Sequence, residues 1–331
     1  MKKILNTLFA YQPLDRATAK SVLTGIGMGD YNEHEITAFM TVYLMRSITL
    51  QELQGFQDAL LELCLKMDFE GIPTIDIVGT GGDGKNTFNI STLSCFIVAG
   101  TGHKVTKHGN YGASTISGAS NVMEKLGYKF KHNNTALLQE IEQANICFMH
   151  APFFHPALKN VAAIRRNLGV RTFFNMLGPL VNPASPAYSV IGVYNLEMAR
   201  LYNYMMQQQS DRYAILHSLE GYDEISLTGD SKIITQDGEK IVSAMELGGM
   251  EIKPDDILGG NSVDEAADIF TKIISGAGTA QQEAVVIANA AIALHVTNQY
   301  ASYDEAFSAA TESLKSGEAN KCLQKLMELQ K

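Results

Sequence analysis

A short buried strand that runs straight into glycines narrows the choice of fold before anything else is read. In Thr74-Ile-Asp-Ile-Val-Gly-Thr-Gly-Gly-Asp-Gly-Lys-Asn-Thr-Phe-Asn-Ile-Ser-Thr92, residues Ile75, Ile77 and Val78 read as a strand. Gly79, Gly81, Gly82 and Gly84 break it, and residues 91–102 are apolar enough to form a helix packed on a sheet. Such a turn faces backbone N–H groups outward at the positive end of a helix, and the missing Cβ atoms let an anion come close. Asn89, Ser91 and Thr92 fall where that helix begins, either as caps or as donors to a ligand. The stretch is a candidate phosphate cradle. A tight turn whose glycines serve only backbone angles is the plainer alternative.

Gly79-x-Gly81-x-x-Gly84 also satisfies the dinucleotide fingerprint, which calls for an acidic residue about 20 positions later to hold a ribose. The next strand, near 103–106, ends instead in Lys107-His108-Gly109-Asn110. A cation there suits a second phosphate better than a hydroxyl pair. No Gly-x-x-x-x-Gly-Lys-Ser/Thr run is present, so a Walker-type nucleotide loop is excluded.

The 331 residues carry a formal charge of −9, which argues against nucleic acid or a membrane surface as a partner while leaving room for a local basic pocket. Cys64, Cys95, Cys147 and Cys322 are widely spread in apolar stretches and read as buried free thiols of a reducing compartment. The apolar residues after Met1-Lys-Lys are too few for a secretory signal, and no run is long enough to span a bilayer. A cytoplasmic protein is expected.

Residues 1–70 read as a helical domain and 73–331 as an α/β domain with a largely parallel sheet. Asn32 with Glu35 and Thr49 with Glu52 have capping-box spacing, and Ser262 with Glu265 caps a later helix. Ile36, Phe39, Met40, Val42, Tyr43 and Leu44 are too dense for a solvent-facing helix. They fit a helix buried on several sides, and a subunit partner is one surface that could cover it. Beyond residue 73, β-rich runs at 75–78, 104–106, 146–149, 189–193 and 213–216 alternate with helical runs at 119–126, 136–143 and 196–208. Residues 225–228 and 231–235, joined by Gly229-Asp230, read as a hairpin. Residues 281–296 are apolar all round and read as a core helix.

Ligands of α/β sheets gather beyond the carboxyl ends of the strands, so the loops there carry the chemistry. The first is the glycine loop with Asp83. The second, Lys107-His-Gly-Asn-Tyr-Gly-Ala-Ser114-Thr115, joins glycine, hydroxyls and a lysine in a manner suited to closing over phosphates. The third, His150-Ala-Pro152-Phe-Phe-His155-Pro156, leads to Arg165 and Arg166; an arginine can grip a carboxylate with two bonds. The fourth holds Asp223-Glu224, a natural pair for Mg²⁺ beside a phosphate. Each alone has an ordinary explanation as a solvated turn or surface charge, and it is their convergence that points to a phosphate–metal site.

Gly79-Thr-Gly-Gly-Asp-Gly84, Lys107-His-Gly-Asn110, Arg165-Arg-Asn-Leu-Gly-Val-Arg-Thr-Phe-Phe-Asn-Met-Leu-Gly-Pro-Leu-Val-Asn-Pro183 and Asp223-Glu224 resemble the anthranilate phosphoribosyltransferases. The likeness extends to Asn289-Ala-Ala near the end of the chain. It implies a small helical domain that mediates a homodimer, a larger α/β domain, and transfer of the phosphoribosyl group of phosphoribosyl pyrophosphate to anthranilate in tryptophan biosynthesis. Carried over by position, Gly79, Gly82, Asp83, Thr87, Asn89, Ser91, Thr92 and Lys107 would bind the donor, and Gly109, Ser114, Thr115 and Ala119 would also bind substrate. Asn110 and Arg165 would hold anthranilate, with His108 and Pro152 lining its path. Ser91, Asp223 and Glu224 would hold Mg²⁺, two ions per subunit, and Lys107 with the acidic pair would be catalytic. The chain departs from the family pattern at Tyr111, where Arg is usual, and in Ser117-Gly-Ala-Ser-Asn121, where Ser-Gly-Ser-Ala-Asp is usual. Ala119 therefore lacks a hydroxyl and Asn121 a charge. A pyrimidine nucleoside phosphorylase, which shares the fold, and a non-catalytic nucleic-acid-binding paralogue are the rival readings.

Overall fold

The amino-terminal helices begin where short polar side chains can take up free N–H groups. In the computed structural model, which describes residues 1–112, 116–209 and 212–330, Asp15 accepts the Thr18 N–H at 2.7 Å and opens the helix Arg16–Met28. Asn32 with Glu35 and Thr49 with Glu52 form reciprocal capping boxes at the starts of Glu33–Met45 and Leu50–Leu63, where their spacing predicts them. Gly55 permits close packing of Leu50–Leu63 on Arg16–Met28, since a Cβ there would stand 2.7 Å from that of Ala19. Glu52 is fully buried and is met by Arg46, the Tyr43 hydroxyl and the Leu14 and Thr49 N–H groups. Burial alone would raise its pKa, but the Arg46 bond and those N–H groups hold it below the ordinary range.

These helices belong to a compact unit of Met1–Met67 with Ala151–Ser185; the remainder, Asp68–His150 with Pro186–Lys331, forms the second. Residues 151–185, which the sequence reading includes in 73–331, pack in the first of these units with the amino-terminal helices. The reason is aromatic. Phe173 stacks on Phe56 at 4.7 Å and lies edge-on to Tyr43 and Phe39 at 5.1 and 6.0 Å. Gln57 Nε2 donates to the Leu180 carbonyl at 2.8 Å, and the Leu65 N–H donates to the Phe154 carbonyl at 2.8 Å. In Glu33–Met45 the dense apolar set is buried except at its end, where Leu44 and Met45 are exposed.

The second unit is built on a seven-stranded sheet. Its strands are β1 (Thr74–Gly79), β2 (Lys104–Gly109), β3 (Ile146–His150), β4 (Tyr188–Gly192), β5 (Arg212–Ser218), β6 (Ser231–Thr235) and β7 (Gly238–Val242), in the order β3-β2-β1-β4-β5-β6-β7. The first five are parallel, and β6 and β7 return antiparallel. From β1 the chain winds outward through β2 to β3, then restarts on the other side at β4. This reversal makes β1 and β4 neighbours at a switch point, and the crevice beyond their carboxyl ends is where such sheets bind ligands. Ile90–Gly100, between β1 and β2, and the long helix Ala280–Val296 form the buried core of the unit.

The hairpin is displaced from its expected place. Residues 225–228 form no strand; β6 pairs with β7, with Thr235 opposite Gly238 across Gln236-Asp237. Gln236-Asp237 make the turn, and Gly238 follows them as the first residue of β7 at φ 134°. The backbone at 225–226 is held by side chains instead: Asn289 takes both the N–H and the carbonyl of Ile225, and Ser218 Oγ accepts the Ser226 N–H. Cys95, Cys147 and Cys322 are buried free thiols, while Cys64 is only half-buried.

Candidate active site

The carboxyl ends of β1 and β4 meet at Gly79 and Gly192, which are register partners. Asp223 comes close to both: a Cβ on Gly79 would lie 2.9 Å from Asp223 Cγ, a side-chain atom that can move, whereas one on Gly192 would lie 2.6 Å from its carbonyl carbon, which leaves no room for a side chain there. Beyond Gly79 the loop turns through Gly81, Gly82 and Gly84, all with φ between 65° and 79°. Its closure is fixed by the Thr80 N–H, which donates to Gly192 O at 2.9 Å, and by the Gly81 N–H, which donates to Asp223 Oδ2 at 2.6 Å. The loop then enters Ile90–Gly100, where the Ser91 N–H donates to Glu224 Oε1 at 2.9 Å and the Thr87 hydroxyl lies 3.5 Å from Glu224 Oε2.

Asp223 and Glu224 stand on a braced loop. Ser218 Oγ donates to the Glu224 carbonyl at 2.6 Å, and the Ser218 N–H donates to the Tyr222 carbonyl. Asn289, in the middle of Ala280–Val296, clamps Ile225 on the far side. Lys107 at the end of β2 is only 2% exposed; its Nζ donates to the Ile77 carbonyl at 2.6 Å and lies 3.5 Å from Ser91 Oγ.

Three carboxyls share this space. Burial, and then the neighbouring Asp83, push Asp223 above the ordinary carboxylate range against the pull of the Gly81 N–H. Burial and then Asp223 push Glu224 well up, opposed by the Ser91 N–H and Lys107. Asp83, whose Oδ1 accepts the Lys85 N–H at 3.0 Å, is raised by burial as well. Buried, mutually repelling carboxyls with hard oxygen donors fit a divalent cation such as Mg²⁺. Among the described residues no three His, Cys, Asp or Glu side chains are grouped to hold a metal by themselves. Mg²⁺ takes one or two carboxylates and fills its octahedron with phosphate oxygens and water.

Asn89 precedes the first residue of Ile90–Gly100 but does not cap it; its Nδ2 donates to the Ser117 carbonyl at 3.0 Å. Its Oδ1, the Ser117 hydroxyl and the Thr80 hydroxyl are buried without a hydrogen-bond partner among the described residues. Such groups are rare in folded proteins, and three on the loops of one crevice mark surface prepared for a polar ligand. Thr92 is buried one turn into the helix. His108 is buried in β2 with its N–H directed to Asp76 Oδ1 at 3.3 Å. Gly109 ends β2, and the carbonyl of Asn110 accepts the Ser120 N–H.

The departures in the second loop also find their place. Asn121 Oδ1 accepts the N–H groups of both Gly112 and Gly118, at 2.9 and 3.0 Å. Both bonds need only an acceptor, so the missing charge leaves the turn closed. Tyr111 donates its hydroxyl to Glu124 at 2.8 Å and lies edge-on to His150 at 4.8 Å. Ala119 opens the short helix Ala119–Lys125. Ser114 and Thr115 lie outside the described residues. Pro152 and Arg165 belong to the other unit. Pro152 is in Ala151–Phe154, and Arg165 is in Lys159–Leu168 with its guanidinium 5.4 Å from the Phe174 ring centroid and 3.4 Å from Asn175 Oδ1. Burial lowers the pKa of Arg165, as expected of a cation withdrawn from water.

Thr80, Ser117, Ser218 and Asn289 were not among the residues the sequence put forward for the site. A hydroxyl beside the glycine run and one in the Ser-Gly run were visible signals for the first two. Nothing local marks the others.

Known proteins show the same organisation. Residues 71–320 match the family described as glycosyl transferase family, a/b domain, and residues 2–64 match its helical bundle domain. An anthranilate phosphoribosyltransferase of Flavobacterium johnsoniae is 54% identical over 99% of each chain, and one of Christiangramia forsetii is 52% identical over the same share. Among solved structures, anthranilate phosphoribosyltransferase from Thermus thermophilus superposes with a TM-score of 0.91 at 28% identity over 98% of each chain. The Saccharomyces cerevisiae enzyme in complex with PRPP and Mg gives a TM-score of 0.90 at 25% identity, over 98% of this chain and 96% of that one.

Proposed function

The chain belongs to the anthranilate phosphoribosyltransferase family, and from that premise we propose that it joins the 5-phosphoribosyl group of phosphoribosyl pyrophosphate to the amine of anthranilate, releasing pyrophosphate. The observation that carries the reading is the convergence on one crevice of the Gly81 and Ser91 N–H groups, Lys107 and the acidic pair. Gly79, Gly82, Asp83, Thr87, Asn89, Ser91, Thr92 and Lys107 are assigned to the donor, and Gly109, Ser114, Thr115 and Ala119 to substrate binding. Asn110 and Arg165 are assigned to the carboxylate and amine of anthranilate, with His108 and Pro152 beside it.

The amine lone pair forms the new bond to the anomeric carbon as the bond to pyrophosphate oxygen breaks and its electron pair leaves with that oxygen. The surplus proton on nitrogen passes afterwards to water. An aromatic amine is unprotonated at neutral pH, so no strong general base is required, and His108 serves to position. Positive charge grows on the ribose and negative charge on the leaving group; the loop amides and Lys107 act on the latter. Ser91, Asp223 and Glu224 are assigned to Mg²⁺, two ions per subunit, which when bound supplies neutralisation of pyrophosphate.

The chain is further assigned to tryptophan biosynthesis in the cytoplasm, and to a homodimer formed through the helical unit. Exposed Phe9, Tyr11, Leu44 and Met45 in that unit support the dimer, which light scattering tests. No helix among the described residues is long and apolar enough to cross a membrane. Loss of anthranilate fluorescence that requires protein, phosphoribosyl pyrophosphate and Mg²⁺ together, and stops with EDTA, is the expected result. A flat trace from folded protein overturns the reading.

A further inference from the structure

We propose that the cavity between the β6–β7 hairpin and the helix Ala280–Val296 is a second small-molecule site, which takes an apolar carboxylate with its tail on an aliphatic floor and its head at Lys240 and His295. The cavity lies at the other end of the sheet from the crevice. Its residues include Ala214, in the amino-terminal half of β5, and Asp237 in the hairpin turn, whereas Asp223 and Glu224 follow the carboxyl end of β5. The inference is therefore independent of the transferase reading.

The cavity measures about 440 Å³, a size that holds small ligands. Strand register makes its floor. Ala214 pairs with Thr235, Ile233 with Lys240, and Ser231 with Val242. Partners across an antiparallel pair share a face, and so do alternate residues of one strand, which puts Ala214, Ile233, Lys240 and Val242 together. Ile292 and Val296, one turn apart on the helix, and Leu247 complete the lining. All six aliphatic residues are buried. Tyr303 lines the same space and spends its hydroxyl on the Leu247 carbonyl, at 2.6 Å.

Charges at the rim are unevenly matched. Asp237 pairs with Arg212 at 3.6 Å and Glu239 with Lys232 at 3.0 Å, while Glu246 takes the N–H and hydroxyl of Ser243 as a helix cap. The acids are thus engaged by the chain itself. Lys240 and His295, the two basic side chains of the lining, are exposed and make no ion pair or side-chain hydrogen bond among the described residues. Burial, then Lys240 and then Arg212 lower the pKa of His295, and Asp237 opposes them. A chain with a formal charge of −9 has here gathered positive charge over an aliphatic surface. Neither a neutral apolar molecule nor a bare inorganic anion uses both features, and an apolar carboxylate does. β7 is also the edge of the sheet, where an inward-facing charge deters pairing with another chain. Either sign of charge serves that end, but only a basic group receives a carboxylate.

Octanoate is the probe and 1-octanol its uncharged counterpart, followed by titration calorimetry and by the NMR signals of His295, assigned with His295→Gln. Octanoate should bind the wild-type chain about tenfold more tightly than 1-octanol and should raise the pKa of His295. Lys240→Glu sits at an exposed position and keeps an inward charge on the edge strand. It should weaken octanoate about tenfold and leave 1-octanol as it was. Octanoate that binds no more tightly than 1-octanol, or that leaves His295 unmoved, overturns the proposal, and so does equal octanoate affinity in Lys240→Glu. Should that variant fail to fold, the His295 signal of the wild type decides. Octanoate that also entered the crevice would be told apart, because His295 and the Lys240→Glu difference report on the cavity.

Discussion

Replacing Gly192 by Ala should damage turnover far more than it damages folding. Gly192 closes β4 opposite Gly79, and a Cβ placed on it stands 2.6 Å from the carbonyl carbon of Asp223 and closer still to the oxygen. The carbonyl oxygen would stand only 1.6 Å from that Cβ, and non-bonded heavy atoms rest about 3.5 Å apart, so strand or loop must yield by about 2 Å. The obstacle is main chain, and no rotamer change relieves it. The segment that yields carries Asp223 and Glu224, whose carboxylates set the Gly81 and Ser91 N–H groups. Misplacement of about 1 Å in a positioning group costs on the order of 100-fold in rate, whereas overpacking costs about 1–3 kcal/mol of stability. The assay is kcat/KM from anthranilate fluorescence across a Mg²⁺ series, with thermal unfolding in parallel. Gly178→Ala is the control, because a Cβ there meets nothing within 4 Å. If Gly192→Ala turns over as fast as Gly178→Ala, the close approach of Asp223 does not position the acidic pair and the reasoning fails.

Asp223→Asn with Glu224→Gln should lower turnover at limiting Mg²⁺ by roughly 100- to 1,000-fold; near-normal turnover would show that these residues do not hold the metal. Ala119→Ser should restore one hydroxyl to the donor side and lower KM for phosphoribosyl pyrophosphate about tenfold, leaving KM for anthranilate alone. An unchanged donor KM would mean position 119 does not touch the donor. His155 is buried, and its imidazole is pushed from 6.5 down to about 4 by that burial, the bonds to Val181 and Leu60 opposing. The unfolded chain takes this proton first, so the stability it contributes is complete above pH 6.5 and drains as pH falls toward 4, by about 3 kcal/mol. Urea midpoints at pH 7.5 and 4.5 should fall less in His155→Gln than in the wild type; equal falls would contradict the assignment.

What the sequence made legible was local. The caps at Asn32, Thr49 and Ser262 each depend on residues within one helical turn, and each side chain accepts the expected N–H. The strands of the parallel sheet announce themselves as short apolar runs because both faces are buried, and β1 through β5 fall close to the expected places. The hairpin was misplaced for the converse reason. Residues 225–228 alternate like a strand, but their hydrogen bonds are taken by Ser218 and by Asn289, 64 residues distant. The dipeptide that does turn the chain, Gln236-Asp237, stands beyond Gly229-Asp230, where the sequence pattern places the turn. Attachment of residues 151–185 to the first helices was equally hidden. It rests on Phe173 finding Phe39, Tyr43 and Phe56, a match of shapes that no spacing encodes.

The same division runs through the candidate site and decides how its departures should be weighed. Glycines, an acidic pair and a lysine could be picked out because phosphate and metal chemistry draw on few residue types. How they are held could not, since the bracing residues Ser218 and Asn289 are ordinary in type and remote in sequence. Asn121 illustrates the consequence. Read as a letter it is a lost charge, yet its Oδ1 closes the turn by accepting two N–H groups, a task that asks for an oxygen and not for a charge. Tyr111 differs in kind, because it stands where the family pattern has a cation and commits its hydroxyl to Glu124 in the neighbouring helix. A substitution that preserves the bond required of it is neutral whatever its charge, and one that redirects a side chain to a new partner is not. By that measure Tyr111 and Ala119, not Asn121, are the positions where donor binding is expected to depart from the family pattern.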